Sequence, residues 1–267
     1  MLRLNFESAA PPHELARDEA MLQWADRVVE NAVVRSGDGG NRGLHEREEQ
    51  AEAGTDTALF RVWRFRSPTV ILGRSSRIDE EVDRVWCARQ GMDVLRRCTG
   101  GASVVGGPGC LMYSVVVGVP SSGGLRNIDA AHDYVMQRVL GAVRRQLPDA
   151  ERLGICDLTW RGRKFSGNSL RVARHHLLYH GTILIDADLD RIAKSLTYAP
   201  RQPEYRRGRD HRSFICNVDL DEARLVQALA EEFGVRGESA GLEDTIAGIA
   251  AELWESRYRD PGWHERR

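Results

Sequence analysis

Most strand-like segments of this chain follow one another in a single block, residues 58–185, and helical segments bracket it. Consecutive strands favour antiparallel pairing, whereas a doubly wound parallel sheet alternates strands and helices along the whole chain. The block therefore predicts an α+β fold, with a largely antiparallel sheet and helices packed on one side. The predicted strands are ALFRVWRF, TVILG (69–73), MDVLRRC (92–98), CLMYSVVVGV (110–119), 155–160, 164–171 and 176–185.

Helices are predicted from apolar residues at helical spacing and from capping residues. They are 12–34, 79–90, a long helix capped by Asn127 or Asp129, a short helix capped by Asp188, 220–233 and 241–257. Asp219 and Glu222 have the spacing of a capping box. Residues 36–57 are polar and glycine-rich, and we expect a mobile surface insertion within a single domain of residues 1–267.

Composition excludes several classes of protein. With 38 Lys plus Arg against 39 Asp plus Glu, the chain lacks the general positive field of many nucleic-acid-binding proteins. No apolar stretch reaches the roughly 18 residues of a membrane-spanning helix, and the N-terminus lacks a secretory signal. Five cysteines at irregular spacing predict free thiols. We expect a cytoplasmic protein that binds neither nucleic acid nor a membrane.

Lysine is almost absent. Of the 38 basic residues, 36 are Arg, and the only lysines are Lys164 and Lys194. A compact ammonium on a flexible stem performs chemistry that the broad, planar guanidinium cannot. Lys194 falls off the apolar stripe of its short helix, and we expect it to face solvent. Lys164 is the stronger candidate for function.

A glycine-rich segment, RRCTGGASVVGGPG (96–109), lies between two predicted strands. Its paired glycines, Gly100 and Gly101, can expose consecutive backbone N–H groups to an anion, and Arg96 and Arg97 could add contacts to a phosphate or carboxylate. A hairpin that needs glycine for its turn explains the same residues equally well.

The strand that begins near Lys164 carries further polar residues. Alternation of side chains predicts a polar row of Lys164, Ser166 and Asn168 on one face, with Gly167 permitting close approach of a ligand. His180 lies within a later apolar strand, where a structural role is the commoner one. The histidines near it have no Cys or acidic partner at ligand spacing, so we expect no metal held by protein side chains.

In their order and spacing, RRCTGG…GGPG, GRKFSGNS and HHLLYHGTILI resemble the catalytic domain of lipoate–protein ligases, shared with octanoyltransferases and distantly with biotin ligases. The resemblance extends to ARDEAML (16–22), PTVILGR (68–74) and RRGRDHRSFICNV (206–218), and so covers most of the chain. It implies a mixed, mainly antiparallel sheet flanked by helices, related to class II aminoacyl-tRNA synthetases and biotin ligases, which agrees with the grouping of strands.

The resemblance also implies roles for individual residues. Lys164 matches the family's essential lysine in G-[RK]-K-x-[SA]-G, and His180 with Gly181 matches a pair beside the acyl tunnel. The matches to ligand-binding positions are Gly73, Arg74, Arg97, Thr99, Gly100, Gly101, Ala102, Ser166, Gly167, His180 and Gly181. Candidates for the tunnel wall are Val70, Ile71, Leu72, Val104, Val105 and Leu178.

The implied reaction joins lipoate or octanoate to ATP as an acyl-adenylate, with Mg²⁺ on the ATP phosphates. A fixed ammonium and backbone N–H groups would stabilise the charge that develops on the phosphate oxygens. The acyl group then passes to a lysine of an acceptor: the lipoyl domain of a 2-oxoacid dehydrogenase subunit, or a glycine cleavage H-type protein.

The chain departs from the family pattern in two places. Gly106 stands where family members commonly carry a histidine, which removes a possible contact to the ligand. Long ligases also carry a C-terminal accessory domain, whereas this chain ends about ten residues after its last predicted helix. We expect that domain to be absent or supplied by a separate chain.

Two alternatives stay open. The first is an ATP-independent transferase that takes its acyl group from a thioester through a cysteine. Cys156 lies close to Lys164 in sequence, but related transferases place the nucleophile further upstream or at a position near Tyr198, where this chain has no cysteine. The second is a noncatalytic acyl-binding subunit, which Gly106 favours and the retained Lys164 opposes.

Deleting residues 38–55 should leave folding nearly intact, because changing the length of a surface insertion costs little free energy. The midpoint of thermal unfolding checks this expectation. A collapse of thermal stability would show that the segment is packed against the domain.

Overall fold

The computed structural model of the protein describes residues 1–36, 57–120, 124–197, 202–238 and 241–266. Nearly all of the predicted insertion, residues 37–56, and Tyr198 lie outside the described residues. The strands are β1 (Leu2–Arg3), β2 (Leu59–Trp63), β3 (Thr69–Leu72), β4 (Asp93–Arg96), β5 (Val104–Gly106), β6 (Cys110–Gly118), β7 (Glu151–Leu153), β8 (Asp157–Trp160), β9 (Arg163–Val172), β10 (His176–Leu184) and β11 (Gly237–Glu238).

The strands form two sheets. The main sheet has eight strands in the order β11-β1-β2-β6-β10-β9-β8-β7. Within it β1 pairs in parallel with both neighbours, and the other pairs are antiparallel. A smaller sheet, β4-β3-β5, contains one parallel and one antiparallel pair. The prediction of a mixed, mainly antiparallel sheet is confirmed.

The helices are α1 (Pro11–Ser36), α2 (Ile78–Glu81), α3 (Arg84–Arg89), α4 (Ile128–Arg144), α5 (Leu189–Ser195), α6 (His211–Phe214), α7 (Glu222–Glu232), α8 (Leu242–Leu253) and α9 (Pro261–Glu265). In the described ranges, no helix is both long and apolar enough to cross a membrane. Lys194 is exposed on α5, as predicted.

Helices cover both faces of the main sheet, so the prediction that they pack on one side is wrong. One core contains α1, α8 and the small sheet, and the other contains α4 and α7. The reason lies in the central strands. Every residue of β10 and all of β6 except Gly118 are buried, and strands that are apolar on both faces need cover on both.

Most helix ends follow the capping signals. The Asn127 side chain accepts hydrogen bonds from the amides of Asp129 and Ala130, and Asp188 caps α5. The predicted capping box at Asp219 is wrong, because Asp221 caps α7 by accepting from the Arg224 amide at 2.9 Å. The cap therefore immediately precedes the first helical residue.

Arg96 ties the C-terminal residues to the turn after β3. Its side chain is fully buried, and its guanidinium donates to the carbonyl oxygens of Gly73 (2.8 Å), Ser76 (2.8 Å), His264 (3.1 Å) and Arg266 (2.6 Å). These carbonyls occupy the guanidinium, so the expected contact of Arg96 with a ligand anion is wrong.

Asp26 joins α1 to β10 and to the residue that leads into β2. Its carboxylate lies 2.9 Å from His176 Nδ1, and His176 Nε2 lies 2.6 Å from the Thr57 hydroxyl. Burial acts to raise the pKa of Asp26, but hydrogen bonds from His176 and from two backbone amides outweigh it and hold the pKa below its ordinary value. The charged form is therefore the stabilising one.

Asp26→Asn should lower the free energy of unfolding at pH 7, and the deficit should shrink in acid. An aspartate with a lowered folded-state pKa stabilises the fold above its unfolded pKa of about 3.9, and this contribution disappears as pH falls through the folded value. Urea unfolding of both proteins between pH 7 and 3 measures the difference. A deficit that is independent of pH would contradict a stabilising charge on Asp26.

Candidate active site

A cavity of about 590 Å³ lies between the main sheet and the loop that joins β4 to β5. Small-molecule sites have volumes of roughly 300–1,000 Å³. The strand order makes one end apolar, with Trp63 on β2 and Met112 on β6, and the other polar, with Asp157 on β8 and Lys164 on β9. Of the candidates for the tunnel wall, Ile71 and Val104 line the cavity, and Val70, Leu72, Val105 and Leu178 do not.

The Lys164 amine lies in the cavity. Its Nζ is 2.7 Å from Asp157 Oδ1, and Asp157 Oδ2 accepts a hydrogen bond from the Tyr205 hydroxyl at 2.7 Å. Burial, with the nearby Asp157 charge, raises the pKa of Tyr205, so this hydroxyl stays a donor. Lys164 lines the same cavity as Gly101 and Ala102 of the glycine-rich loop.

A shift in strand register turns Lys164 toward this space. Thr159 of β8 opposes Lys164, whereas the preceding Leu158 opposes Ser166, so β9 holds one extra residue, Phe165. A bulge of this kind reverses the alternation of side chains beyond it. The prediction that Lys164, Ser166 and Asn168 share a face is therefore wrong.

Contacts at two glycines show that Lys164 and Asn168 lie on opposite faces of the main sheet. A Cβ at Gly167 would lie 2.9 Å from Lys164 Nζ, so the lysine crosses the sheet directly over Gly167. A Cβ at Gly181 would lie 1.7 Å from Asn168 Oδ1, so Asn168 lies over the opposite face. There Asn168 Oδ1 also accepts a hydrogen bond from the Tyr113 hydroxyl at 2.5 Å.

Arg97 shapes the glycine-rich loop from within. Its guanidinium donates to the carbonyls of Ile71 (3.1 Å), Gly100 and Ala102 (3.1 Å), and its Nε donates to the Thr99 hydroxyl (2.9 Å). Burial lowers the pKa of Arg97 to about 10, which leaves it charged at neutral pH. Arg97 lines the cavity, but most of its donors hold the loop.

With their carbonyls turned toward Arg97 and Ser76, the loop residues leave their amides available. The N–H groups of Gly100, Gly101 and Ala102 form no hydrogen bond within the part of the chain that the structure describes. Gly101 has a φ of +84°, and a Cβ on Gly73 would lie 1.8 Å from its oxygen. This close contact fixes a row of backbone donors at the cavity, as an anion-binding loop requires.

His180 lies below this loop in a buried network. Its Nδ1 is 2.8 Å from Asp18 Oδ2, and its Nε2 is 2.6 Å from the Thr99 hydroxyl and 3.1 Å from the Ser169 hydroxyl. His180 and Ser169 both line the cavity, whereas Thr99 is fully buried beneath it.

The predicted site residues differ in their position relative to the cavity. Those that line the cavity are Lys164, Arg97, Gly101, Ala102, Gly167, His180, Gly181 and Cys156. Those that support it from outside the lining are Gly73, Thr99 and Gly100, while Arg74 is exposed and Ser166 faces the other side of the sheet. The geometry does not support direct contact of Ser166 with a ligand in this cavity.

Cys156 is a poor nucleophile in its surroundings. Burial and the neighbouring Asp157 charge raise the pKa of this thiol to about 11, and the lowering by Lys164 does not offset them. Its Sγ lies 3.0 Å from the Asn168 carbonyl oxygen. A thiol so far from ionisation at neutral pH carries little thiolate.

Four residues of the site escaped sequence analysis: Asp157, Tyr205, Asp18 and Ser169. Asp157 and Tyr205 act on Lys164 from another strand and from a distant segment, so no local spacing joins them to it. Asp18 lies within ARDEAML, a stretch that carried the resemblance without a chemical role. Ser169 lies on the cavity face because it pairs with His180 of β10, a register that the predicted polar row did not include.

The family model of the lipoyl protein ligase A/B catalytic domain matches residues 45–242. The chain belongs to this family. Among curated relatives, the lipoate-protein ligase LplJ of Bacillus subtilis is 26% identical over 57% of this chain and 44% of that protein. This chain therefore spans less than half of that relative.

Other members of the lipoyl protein ligase A/B family match along more of their length. The octanoyltransferase LipM of Geobacillus kaustophilus is 23% identical over 96% of this chain and 95% of that protein. The structure of a bi-partite lipoate protein ligase from Thermoplasma acidophilum, described with its E2 lipoyl domain, superposes with a TM-score of 0.75 over 99% of this chain and 95% of that chain, at 22% identity. That likeness confirms the fold.

Gly106 is the residue that we expected to replace a histidine of the family pattern. It lies at the buried end of β5, outside the cavity lining. A Cβ there would be 2.4 Å from the Phe65 ring. The Phe65 ring thus occupies the space that the Cβ of any larger residue would need. The packing of the small sheet therefore requires glycine at this position.

Gly181→Ala should destabilise the fold by about 1–3 kcal/mol, because the added methyl group would displace Asn168 and break its bond to Tyr113. Gly118→Ala is the matched control, since no atom lies within 4 Å of a Cβ there. Urea unfolding measures both variants. Equal stability of the two would contradict the close contact at Gly181.

Proposed function

We propose that the protein is an ATP-dependent ligase that activates lipoate or octanoate and transfers it to a lysine of an acceptor domain. The observation that carries the proposal is the position of the Lys164 amine in one cavity with the unbonded amides of Gly101 and Ala102. An ammonium has three N–H donors. Asp157 accepts one, so two can bridge the acid's carboxylate and a nucleotide phosphate.

In the first step, a carboxylate oxygen of the acid attacks the α-phosphorus of ATP, and pyrophosphate leaves. Negative charge rises on the non-bridging oxygens of that phosphate. Lys164 and the loop amides are held in place before the reaction, so they stabilise this charge without reorganisation. Asp157, fixed by Tyr205, holds the amine of Lys164 over Gly167.

Magnesium would be carried by the ATP phosphates, where it shares their charge. Within the described ranges, no group of three or more His, Cys, Asp and Glu side chains is arranged to hold a metal ion. The hydrogen-bond donors of the cavity, an ammonium and backbone amides, suit a phosphate.

The cavity's apolar end suits a medium-length acyl chain. From β9 to β2 the path crosses three strand spacings, about 14 Å. Carbon–carbon bonds of about 1.5 Å give an extended eight-carbon acid a length of roughly 9–10 Å. The side chains of Lys164, Trp63 and Met112 project into this span and shorten it. An acid with its carboxylate near Lys164 would then direct its tail toward Trp63 and Met112.

The acceptor would be the lipoyl domain of a 2-oxoacid dehydrogenase subunit or a glycine cleavage H-type protein. The Thermoplasma acidophilum relative supports this choice, since its structure is described with an E2 lipoyl domain. That ligase is also bi-partite, which supports a separate accessory chain here. Free thiols at all five cysteines and the use of ATP fit work in the cytoplasm.

The full-length match to an octanoyltransferase is the observation that favours the alternative, a thioester-dependent transferase. Its usual nucleophile is a cysteine, and the raised pKa of Cys156 disfavours that residue. Cys156→Ser should therefore keep full activity. A noncatalytic acyl-binding subunit is disfavoured because acyl binding alone would not need the Lys164–Asp157–Tyr205 arrangement.

Lys164→Arg should reduce acyl-adenylate formation at least about 100-fold, because a planar guanidinium cannot occupy the space over Gly167 with the same donor geometry. Lys194→Arg makes the same change at an exposed position and should be neutral. Exchange of labelled pyrophosphate into ATP, dependent on lipoate or octanoate, measures the step. Normal exchange by Lys164→Arg, or none by the wild-type protein with or without an accessory chain, would overturn the proposal.

A further inference from the structure

Ser169 carries a hydroxyl that the adenylation chemistry does not use. It lies on β9 directly opposite His180 on β10, and both side chains line the acyl cavity. The Ser169 hydroxyl is 3.1 Å from His180 Nε2. A nucleophile and its general base lie within about 2.6–3.2 Å of each other in enzymes of this type.

Asp18 orients the imidazole from the other side. Its Oδ2 is 2.8 Å from His180 Nδ1, while its Oδ1 accepts from Arg61 at 3.0 Å and from the Ser114 hydroxyl at 2.8 Å. Asp18 is 1% exposed, so its carboxylate is fixed by these partners alone. With Nδ1–H donated to Asp18, the neutral imidazole presents Nε2 as an acceptor.

The hydroxyls beside Nε2 leave one route for a proton. Thr99 Oγ1 accepts from Arg97 Nε at 2.9 Å, so its own proton points either to His180 Nε2 at 2.6 Å or to Ser169 Oγ at 2.7 Å. In the first case Ser169 donates its proton to Thr99, which donates its own to His180. In the second case Ser169 donates to His180 directly. Both arrangements make His180 the base that receives the Ser169 proton.

Donors for a developing oxyanion lie beside the same serine. A Cβ on Gly101 would be 3.5 Å from the Ser169 Cβ, so the glycine-rich loop passes directly over this side chain. Gly101 and Ala102 line the cavity, and their amides form no hydrogen bond within the described ranges. Backbone amides of this kind stabilise the tetrahedral intermediate of acyl transfer.

We propose that Asp18, His180 and Ser169 form a catalytic triad, and that Ser169 accepts acyl groups from activated esters and thioesters without ATP. Ser169 Oγ bonds to the acyl carbon as its proton passes to His180 Nε2. The carbon–sulfur or carbon–oxygen bond of the donor then breaks, and the leaving thiolate or alkoxide takes the proton from His180. An amine or water releases the acyl group from Ser169 by the reverse order of steps.

This activity does not depend on the proposed ligase reaction, although it shares the acyl cavity and the Gly101 and Ala102 amides with it. It also differs from a cysteine-dependent transfer, because Cys156 lies beside Asn168 and not beside a histidine. The two routes consequently have different nucleophiles, different cosubstrates and different sensitive residues.

The test uses p-nitrophenyl octanoate and a fluorophosphonate probe on the full-length protein, with no ATP present. We expect release of p-nitrophenolate, an octanoyl or phosphonyl adduct on the wild-type protein, and its location at Ser169 by peptide mass analysis. Ser169→Ala should lose the adduct. Cys216→Ser, at a thiol outside the cavity lining, is the control and should keep it.

Asp18→Asn gives a readout that a structural role for Ser169 would not produce. It should slow acylation by the order of 10³–10⁴, because the imidazole then loses its fixed tautomer. Thermal melting shows whether each variant is folded. If a variant is unfolded, the location of the adduct on the wild-type protein still decides whether Ser169 is the nucleophile. No wild-type adduct, or one at Cys156, would overturn the triad. Acid-dependent pyrophosphate exchange, measured separately, reports only on the ligase.

Discussion

A single extra residue in β9 decides which face of the main sheet carries the Lys164 amine. Without the bulge at Phe165, alternation would place Lys164 with Ser166 and Asn168, over the core formed by α4 and α7. With it, the amine crosses Gly167 and enters the cavity. An ammonium in that other core would have met apolar side chains, at a cost of several kcal/mol.

Around the amine, the site is built from contacts that leave little freedom to its backbone. The oxygen of Gly101 touches Gly73, Arg97 holds the carbonyls of the loop, and Asn168 fills the space above Gly181. Each of these contacts would be lost if a methyl group or a longer side chain were added. The loop therefore presents its amides in one arrangement before a ligand arrives, and such preorganisation is what lets fixed dipoles lower the energy of a charged transition state.

The sequence allowed the family, the sheet and the central residues Lys164, Gly101 and His180 to be predicted, because strand patterns and short motifs are local signals. The distribution of helices over both faces was not predicted, although the continuous apolar runs of β6 and β10 require cover on both faces. The prediction that Lys164, Ser166 and Asn168 share a face failed because one extra residue in β9 reverses the alternation of side chains. Nothing in the sequence marks that extra residue. Asp157 and Tyr205 were missed for a related reason, since their relation to Lys164 exists only after folding.

Arg96 connects the C-terminal residues mechanically to the turn after β3. One guanidinium holds both the turn at Gly73, which touches the ligand loop, and the last described carbonyl, at Arg266. Any polypeptide fused behind that point begins its path one hydrogen bond away from Arg96. A surface anchored through this tail would therefore pull on the turn at Gly73 and, through that turn, on the glycine-rich loop.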